Sequence, residues 1–154
     1  MPYYFTRNDL DALDRKIREI QARMDRVVED LGDSAQQGAE TWHDNFGHEE
    51  SMRQQAMWSA HLGELMRIKG LAKVVTPPPS GDEVLIGRTV LITDLDTEET
   101  REFEIGSFMV FDSGDRRISY AAPLAEIILG AKAGDVRSGK IGEKRKRFQV
   151  LSIR

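Results

Sequence analysis

The sequence predicts an α+β protein, with an N-terminal antiparallel α-helical coiled-coil hairpin followed by a small β-rich domain. In the first half, apolar residues recur three and four residues apart, which is the spacing of a coiled-coil seam. In the second half, short runs of β-branched and aromatic residues alternate with turn residues. The run Pro77-Pro78-Pro79 separates the two patterns and ends helical structure. We therefore expect a hairpin at 1–76, a linker at 77–82 and a C-terminal domain at 83–154.

The first helix is predicted at 7–31. Its apolar positions form one seam, which consists of Leu10, Leu13, Ile17, Ile20, Met24, Val27 and Leu31. Thr6 is placed to cap the N-terminus, with Asp9 three residues later, and Gly32 is placed to end the helix. Because such a seam needs a partner, it predicts packing against a second helix.

The second helix is predicted to start at Gly47 or Glu49 and to end near Lys73. Its looser seam consists of Trp58, Leu62, Leu65, Ile68, Ala72 and Val75. The short, glycine-containing connection favours folding back on the first helix, so we expect a monomer. The same heptads also fit a coiled-coil dimer of two chains, and that alternative stays open.

The β-rich domain is predicted from shorter signals. Strands are expected at 84–86, 89–93, 101–105 and 147–153. Pro123 suits the first turn of a helix at 124–129, and Gly130 is placed to end that helix.

Composition excludes several classes of protein. The chain has 154 residues, a net charge of -4 and no cysteine, which excludes disulfides and cysteine-ligated metal sites. No apolar run approaches the roughly 20 residues that span a bilayer, and residues 1–7 lack the apolar region of a signal peptide. We therefore expect a cytoplasmic protein without membrane contact. The small net charge predicts that any contact with nucleic acid is local or passes through a protein partner.

The segment between the two helices, residues 40–50, is predicted to be the tip of the hairpin. No lysine or arginine occurs from 29 to 50, whereas the acidic residues there are Glu29, Asp30, Asp33, Glu40, Asp44, Glu49 and Glu50. Such a concentration of carboxylates attracts a metal ion or a basic cavity. The tip is therefore the first candidate for a functional site.

Residues 118–135 resemble the C-terminal signature of the Gre transcript-cleavage factors of bacterial RNA polymerase. The match consists of Ile118-Ser119-Tyr120-Ala121-Ala122-Pro123-Leu124-Ala125, Ile128-Leu129-Gly130 and Gly134-Asp135. Weaker likenesses at 6–17, 44–55 and 87–95 extend the resemblance over nearly the whole chain. It implies an FKBP-like C-terminal domain that docks on the polymerase, and a coiled coil that enters the secondary channel. The implied polymerase contacts are Ser119, Ala122, Pro123 and Leu124.

The resemblance also implies a role for the tip. Gre factors carry an Asp and a Glu three residues apart, which help to hold a Mg ion of the polymerase and position the water that cuts backtracked RNA. Aligning on Asp44 puts it at the family's Glu position and Thr41 at the Asp position, with Glu40 as a substitute carboxylate. A second register, on Asp33, puts Gln36 at the Glu position.

Either register keeps one carboxylate of the pair, so cleavage stimulation and a non-cleaving regulatory role both stay open. The implied protein is a transcription elongation factor without a cofactor or an enzyme activity of its own. Its partner is bacterial RNA polymerase and, through it, backtracked RNA and DNA.

Other features have two interpretations each. His43, Asp44, His48 and Glu49 lack the spacing of a zinc motif, so a solvated turn is favoured over a metal site. Trp42 and Phe46 either stiffen the tip or stack on RNA bases. The basic run, Lys140 with residues 144–147, is either a solvated strand edge or a surface that attracts RNA or acidic protein. Two further function classes, a prolyl isomerase and a purely structural coiled coil, also stay open.

Overall fold

The computed structural model describes residues 2–37, 44–79, 81–111 and 113–154, together with their side chains except those of 27–37 and 44–48. The chain forms two compact units. One is Asp11–Leu71, and the other combines Met1–Leu10 with Ala72–Arg154. The predicted α+β class is confirmed, because long helices precede a β-rich segment. The predicted linker at 77–82 between the hairpin and the C-terminal domain stays a prediction. Among the described residues, no helix has both the length and the apolar character needed to span a membrane.

Two long helices, α1 (Arg7–Gln37) and α2 (Asp44–Gly70), supply the helical unit. The predicted seam is buried at Leu13, Ile17, Ile20, Leu65 and Ile68, and its members Leu10, Met24, Trp58 and Leu62 are half-buried. The burial of these positions follows from their three-four spacing, which places them on one stripe of each helix.

Contacts within this unit fix the direction of the two helices. Lys69 Nζ of α2 lies 2.5 Å from Asp14 Oδ1 of α1. Further along α1, the guanidinium of Arg23 lies 5.6 Å from the centre of the Trp58 ring. Later residues of α1 thus contact earlier residues of α2, so the helices run antiparallel.

The ends of both helices differ from the prediction. Gly32 does not end α1, which continues to Gln37. A glycine permits a helix C-cap but costs only about 1 kcal/mol inside a helix, and the residues after it include alanine and glutamine, which favour helix. The start of α2 at Asp44 makes residues 44–50 helical rather than part of a turn. Its end at Gly70, before the predicted Lys73, leaves the next residues free to form a strand.

Among the described residues, the β-rich unit has seven strands. They are β1 (Tyr3–Phe5), β2 (Ala72–Val74), β3 (Thr89–Asp94), β4 (Thr100–Gly106), β5 (Arg117–Ser119), β6 (Val136–Ile141) and β7 (Lys144–Ile153). β1 and β2 form a small parallel sheet, and the other five form a sheet in the order β5-β4-β3-β7-β6. In the larger sheet the β4–β5 pair is parallel, and the other pairs are antiparallel.

The core of this unit lies between one face of the larger sheet and the short helix α3 (Pro123–Ile128). Buried residues alternate along β3, β4 and β7, as expected for a sheet with one covered face. They are Val90, Ile92, Phe103, Ile105, Phe148 and Val150, and they pack with Leu124, Ala125 and Ile128 of α3.

The predictions for β3, β4, β7 and α3 are confirmed, with ends shifted by up to three residues. The strand predicted at 84–86 is wrong. Val84 is fully buried, and its backbone is hydrogen-bonded to Gly130 and Ala131 beside a single bridge from Glu83 to Lys132, so this segment belongs to no strand of the sheet. The apolar character of this segment therefore reflects burial in the core rather than membership of a β-sheet. The sequence did not predict β1, β2 or β6.

Candidate functional site

The predicted tip site lies largely outside the described part of the chain. Glu40 and Thr41 are not among the described residues. Asp44 begins α2, but its side chain is not described. Their proposed roles therefore stay predictions, as does the zinc alternative that includes His43. Within the described residues, no three metal-ligating side chains cluster together.

The signature segment is held in place by β5 and by the turn that follows it. Ile118 of β5 pairs with Ile105 of β4, and the Tyr120 N–H donates to the Gly106 carbonyl over 3.1 Å. The Ser119 hydroxyl donates to the Phe108 carbonyl over 2.8 Å and accepts from the N–H of Ala121 over 3.1 Å. Ser119 therefore stabilises the turn that leads into α3.

Pro123 begins α3, as predicted, because its fixed φ suits the first helical turn and its missing N–H would be unpaired there. Ala122 precedes it in extended backbone, and the Ala122 carbonyl accepts the N–H of Glu126 over 2.9 Å. This geometry leaves the first turn of α3 facing a cleft on the same side of the sheet.

That cleft has a volume of about 360 Å³. Its apolar lining comes from the sheet, from β5 and from the start of α3: Ile92, Ile118, Ala122, Pro123, Leu124, Ile141 and Phe148. Of the four contact residues implied by the family resemblance, the cleft brings together Ala122, Pro123 and Leu124. Ser119 is not among the residues that line it.

Charged residues complete the lining of the cleft: Asp94, Glu99, Arg101 and Lys146. Lys146 Nζ lies 3.3 Å from Asp94 Oδ2. The backbone N–H of Asp96 lowers the pKa of Asp94 below its ordinary value, and the Thr97 N–H and Lys146 add to the effect. The Arg101 guanidinium lies 5.6 Å from the Phe103 ring centre. An apolar floor with fixed charges suits the docking of a partner's side chain.

A second cluster, which the sequence analysis missed as a group, lies where α1 begins. The carboxylate of Asp9 is buried, with 5% of the residue exposed. Its Oδ2 accepts hydrogen bonds from Ser107 Oγ over 2.5 Å and from Arg117 over 2.6 Å. Arg117 Nε in turn lies 3.0 Å from Glu104 Oε2.

Charge and hydrogen bonding keep the buried Asp9 ionised. Burial alone would raise its pKa, but the hydrogen bonds from Arg117 and Ser107 and the charge of Arg117 outweigh burial and lower the pKa below its ordinary value. The predicted cap is present too, because Thr6 Oγ1 accepts the Asp9 N–H over 3.3 Å. The N–H of Thr6 itself donates to Ser107 Oγ over 2.9 Å. Only the capping role of Asp9 and Thr6 was visible in the sequence, since Ser107 and Arg117 are about a hundred residues away.

Tyr120 of the signature also binds the start of the chain. Its hydroxyl accepts the N–H of Tyr4 over 3.1 Å, and the two rings lie 6.0 Å apart. Both tyrosines line a second cavity of about 370 Å³, together with Pro77 and Pro78. An aromatic-lined cavity was not predicted from the sequence, because Tyr4 and Tyr120 meet only through the fold.

Comparison with known proteins places the chain in a family. A family model described as "Transcription elongation factor, GreA/GreB, C-term" matches residues 78–154. The transcription elongation factor GreA of Thermotoga petrophila is 28% identical over 152 residues, which cover 98% of this chain and 92% of the relative. GreA of Rickettsia bellii is 24% identical over 151 residues, which cover 97% of this chain and 92% of the relative.

Among solved structures, GreA factor homolog 1 (Gfh1) of Thermus thermophilus is similar, with a TM-score of 0.47 and 20% identity. The alignment covers 100% of this chain and 99% of that chain. The family model matches half of the chain and contains the whole signature at 118–135. As that signature predicted, the chain belongs to the GreA/GreB family of transcription elongation factors.

Proposed function

We propose that this protein binds bacterial RNA polymerase through its β-rich unit, as an FKBP-like docking domain, and inserts α1 and α2 as an antiparallel coiled coil into the secondary channel. The observation that carries the proposal is the cleft beside α3. Three of the four residues that the family signature marks for polymerase contact line it. In this proposal the protein acts in the cytoplasm as a monomer.

The chemistry of the cleft favours docking over catalysis. Its lining contains no histidine, cysteine, serine or threonine, and its lysine, Lys146, is paired with Asp94 rather than placed as an unpaired nucleophile. Its apolar floor instead suits an apolar side chain of the partner, with Arg101 and Glu99 positioned for polar groups around it. We therefore assign no enzyme activity to the chain itself, and the prolyl isomerase alternative stays untested.

In this proposal, the tip supplies ligands to the Mg ion of the polymerase. Carboxylate oxygens such as those of Asp44 and Glu40 suit the hard Mg ion, whereas the hydroxyl of Thr41 adds no charge. The ion belongs to the polymerase active centre, where paired metals stabilise the attacking and leaving oxygens of RNA cleavage. The chain thus needs no cofactor of its own, and its tip acts on backtracked RNA and DNA through the polymerase.

A non-cleaving role is the second candidate, and one residue favours it. Thr41 stands where the Gre resemblance places an aspartate, so one carboxylate of the expected pair is missing. A hairpin with this tip would occupy the secondary channel and regulate or inhibit the polymerase without stimulating cleavage.

RNA cleavage by bacterial polymerase stalled in a backtracked complex tests the tip. Wild type, Asp44→Ala, Thr41→Asp and no factor are compared at equal Mg. Stimulation that is lost in Asp44→Ala and increased in Thr41→Asp is the expected result for a cleavage factor. Binding without stimulation in the wild type selects the non-cleaving role, and absence of polymerase binding contradicts both.

The docking cleft is tested separately by Ala122→Glu, which places a carboxylate among apolar residues. Burying a polar group against an unmatched partner should cost about 1–3 kcal/mol of binding free energy, which weakens polymerase binding by roughly 5- to 150-fold. Ala133→Glu, on an exposed turn, is the matched control. Equal affinities of the two variants, both folded by circular dichroism, would contradict docking through this cleft.

A further inference from the structure

The β6–β7 hairpin concentrates positive charge on a chain that is negative overall. Between 136 and 147, Glu143 is the single acidic residue, whereas the basic ones are Arg137, Lys140, Lys144, Arg145, Lys146 and Arg147. The chain as a whole has a net charge of -4. This hairpin is therefore a local basic surface rather than part of a general one.

Strand register sorts these cations onto two faces. Phe148 and Lys146 point to the covered face, so Arg145 and Arg147 point to the open face of the sheet. Lys140 pairs directly with Arg145, and Ser138 pairs with Arg147. Lys140, Arg145 and Arg147 therefore form one exposed group, which we call the open-face cations.

The turn of the hairpin holds this group rigidly. Ile141 pairs with Lys144, so the loop consists of two residues, and the first of them, Gly142, has φ of 64°. Glycine at this position is what a two-residue hairpin turn requires, because the left-handed conformation is costly for other residues. The cations are thus presented on a two-stranded ribbon with little loop entropy to lose on binding.

The arrangement of the open-face cations lowers the stability of the folded protein. Like charges directly opposite each other on neighbouring strands destabilise a sheet, and Lys140 and Arg145 are such a pair. Arg147 has a carboxylate partner, Asp96, at 3.4 Å, and Arg145 donates to Ser138 Oγ over 3.3 Å. Within the described part of the chain, neither Lys140 nor Arg145 has a carboxylate partner. A local arrangement that opposes stability is typical of a functional surface.

From this geometry we infer that the open face of the β6–β7 hairpin binds the phosphate backbone of nucleic acid, in addition to any contact with a protein. Arg145 and Arg147, two residues apart on β7, are separated by roughly 6.8 Å, which is comparable to the distance between successive phosphates along a nucleic-acid strand. Guanidinium groups also match phosphate geometry well.

The composition of the face favours phosphates over an acidic protein surface. Protein interfaces depend on apolar and aromatic anchors at their centre. Phe148, the aromatic residue of this hairpin, is buried on the covered face. The neighbours of the open-face cations are Ser138 and Gln149, and the one apolar residue of β6 on this face, the exposed Val136, lies opposite Gln149 at the end of the strand away from Lys140. Without an aromatic side chain on which bases can stack, the contact is to the backbone and does not read the base sequence.

Fluorescence anisotropy with a labelled 20-base-pair DNA and a labelled single-stranded RNA tests the inference on the full chain. Lys140→Gln/Arg145→Gln is compared with Lys73→Gln/Arg116→Gln, which removes the same charge from exposed positions elsewhere. With three phosphate contacts, wild-type affinity for the duplex falls about 40-fold between 50 and 200 mM salt, and for the single strand about 20-fold. For Lys140→Gln/Arg145→Gln, the affinity for the duplex should decrease by only about 4-fold over the same salt range. The control variant should retain the wild-type salt dependence.

Three results would overturn the inference. They are absence of nucleic-acid binding at 50 mM salt, an equal loss of salt dependence in the control variant, and preferential binding of polyglutamate, which would indicate an acidic protein partner. Lys140→Glu provides an independent measurement. It replaces a like-charge pair with an opposite-charge pair and should raise the melting temperature by about 1–2 °C while weakening binding. A variant that is both less stable and weaker in binding would point to a structural role instead.

Discussion

Replacing Asp9 with alanine removes the acceptor at the centre of the buried cluster at the start of α1. Asp9 Oδ2 accepts hydrogen bonds from Ser107 and from the charged Arg117 at 2.5 and 2.6 Å. Breaking a buried ion pair from one side costs about 3–5 kcal/mol. Arg117 keeps Glu104 as a partner and is 23% exposed in its side chain, so we expect a loss near the lower end, about 3 kcal/mol.

Chemical denaturation of wild type, Asp9→Ala and Asp9→Asn measures this loss. The asparagine variant keeps an acceptor for Ser107 but loses the charge, so its free energy of unfolding should fall between the other two. Asp11→Ala is the matched control, because Asp11 is exposed, and its change should stay within about 0.5 kcal/mol of wild type. A loss for Asp9→Ala no larger than that of Asp11→Ala would refute the reasoning.

The same cluster predicts a pH dependence with a definite sign. The pKa of Asp9 is lower in the folded protein than in the unfolded chain, so the unfolded state binds the proton more readily and stability increases with pH. The stabilisation is complete above the ordinary aspartate pKa of about 4 and is lost as the pH falls through the lower folded value. The difference between wild type and Asp9→Ala should therefore shrink below about pH 4. A difference that stays constant down to pH 2 would contradict this assignment.

Further variants test other contacts, each by its free energy of unfolding. Gly87→Ala should destabilise by about 2 kcal/mol or more, because φ is 91° there and a Cβ would lie 2.4 Å from Pro77 Cγ; an unchanged value would contradict that close approach. Gly63→Ala should stabilise by roughly 0.5–1 kcal/mol, because a Cβ meets nothing within 4 Å in the middle of α2; destabilisation would indicate an unseen packing role. Ile105→Ala, at a fully buried position, should cost about 2–5 kcal/mol, and a cost below 1 kcal/mol would mean that Ile105 is not part of the core.

The sequence predicted those elements whose signal is local. The three-four spacing around Leu13 and Ile17 indicated α1, and Pro123 indicated the start of α3. Alternation at Phe103 and Ile105 indicated β4. Each of these signals lies within the element itself, because periodicity reports which face of a helix or strand is buried.

The elements that the sequence did not predict depend on distant partners. β1 and β2 are three residues each and pair across about seventy residues of chain, so neither has a periodic pattern of its own. β6 is an edge strand with basic residues and Gly139, a composition that resembles a loop. The cluster around Asp9 was missed for the same reason, since Ser107 and Arg117 approach it only through the sheet. The tip carboxylates remain predictions from spacing and resemblance.

The way in which the first ten residues join the β-rich unit has a consequence for dissecting the protein. The family match begins at residue 78, and a fragment cut there would be the natural choice for separate study. Such a fragment would lack the fully buried Phe5, the strand β1 and the carboxylate that Arg117 and Ser107 bind. We expect it to expose an apolar site and to aggregate more readily than the intact chain. A fragment in which residues 2–10 are joined by a flexible linker to residue 72 would restore these contacts in one polypeptide. It would allow docking on the polymerase to be measured without residues 11–71, which include most of α1 and all of α2.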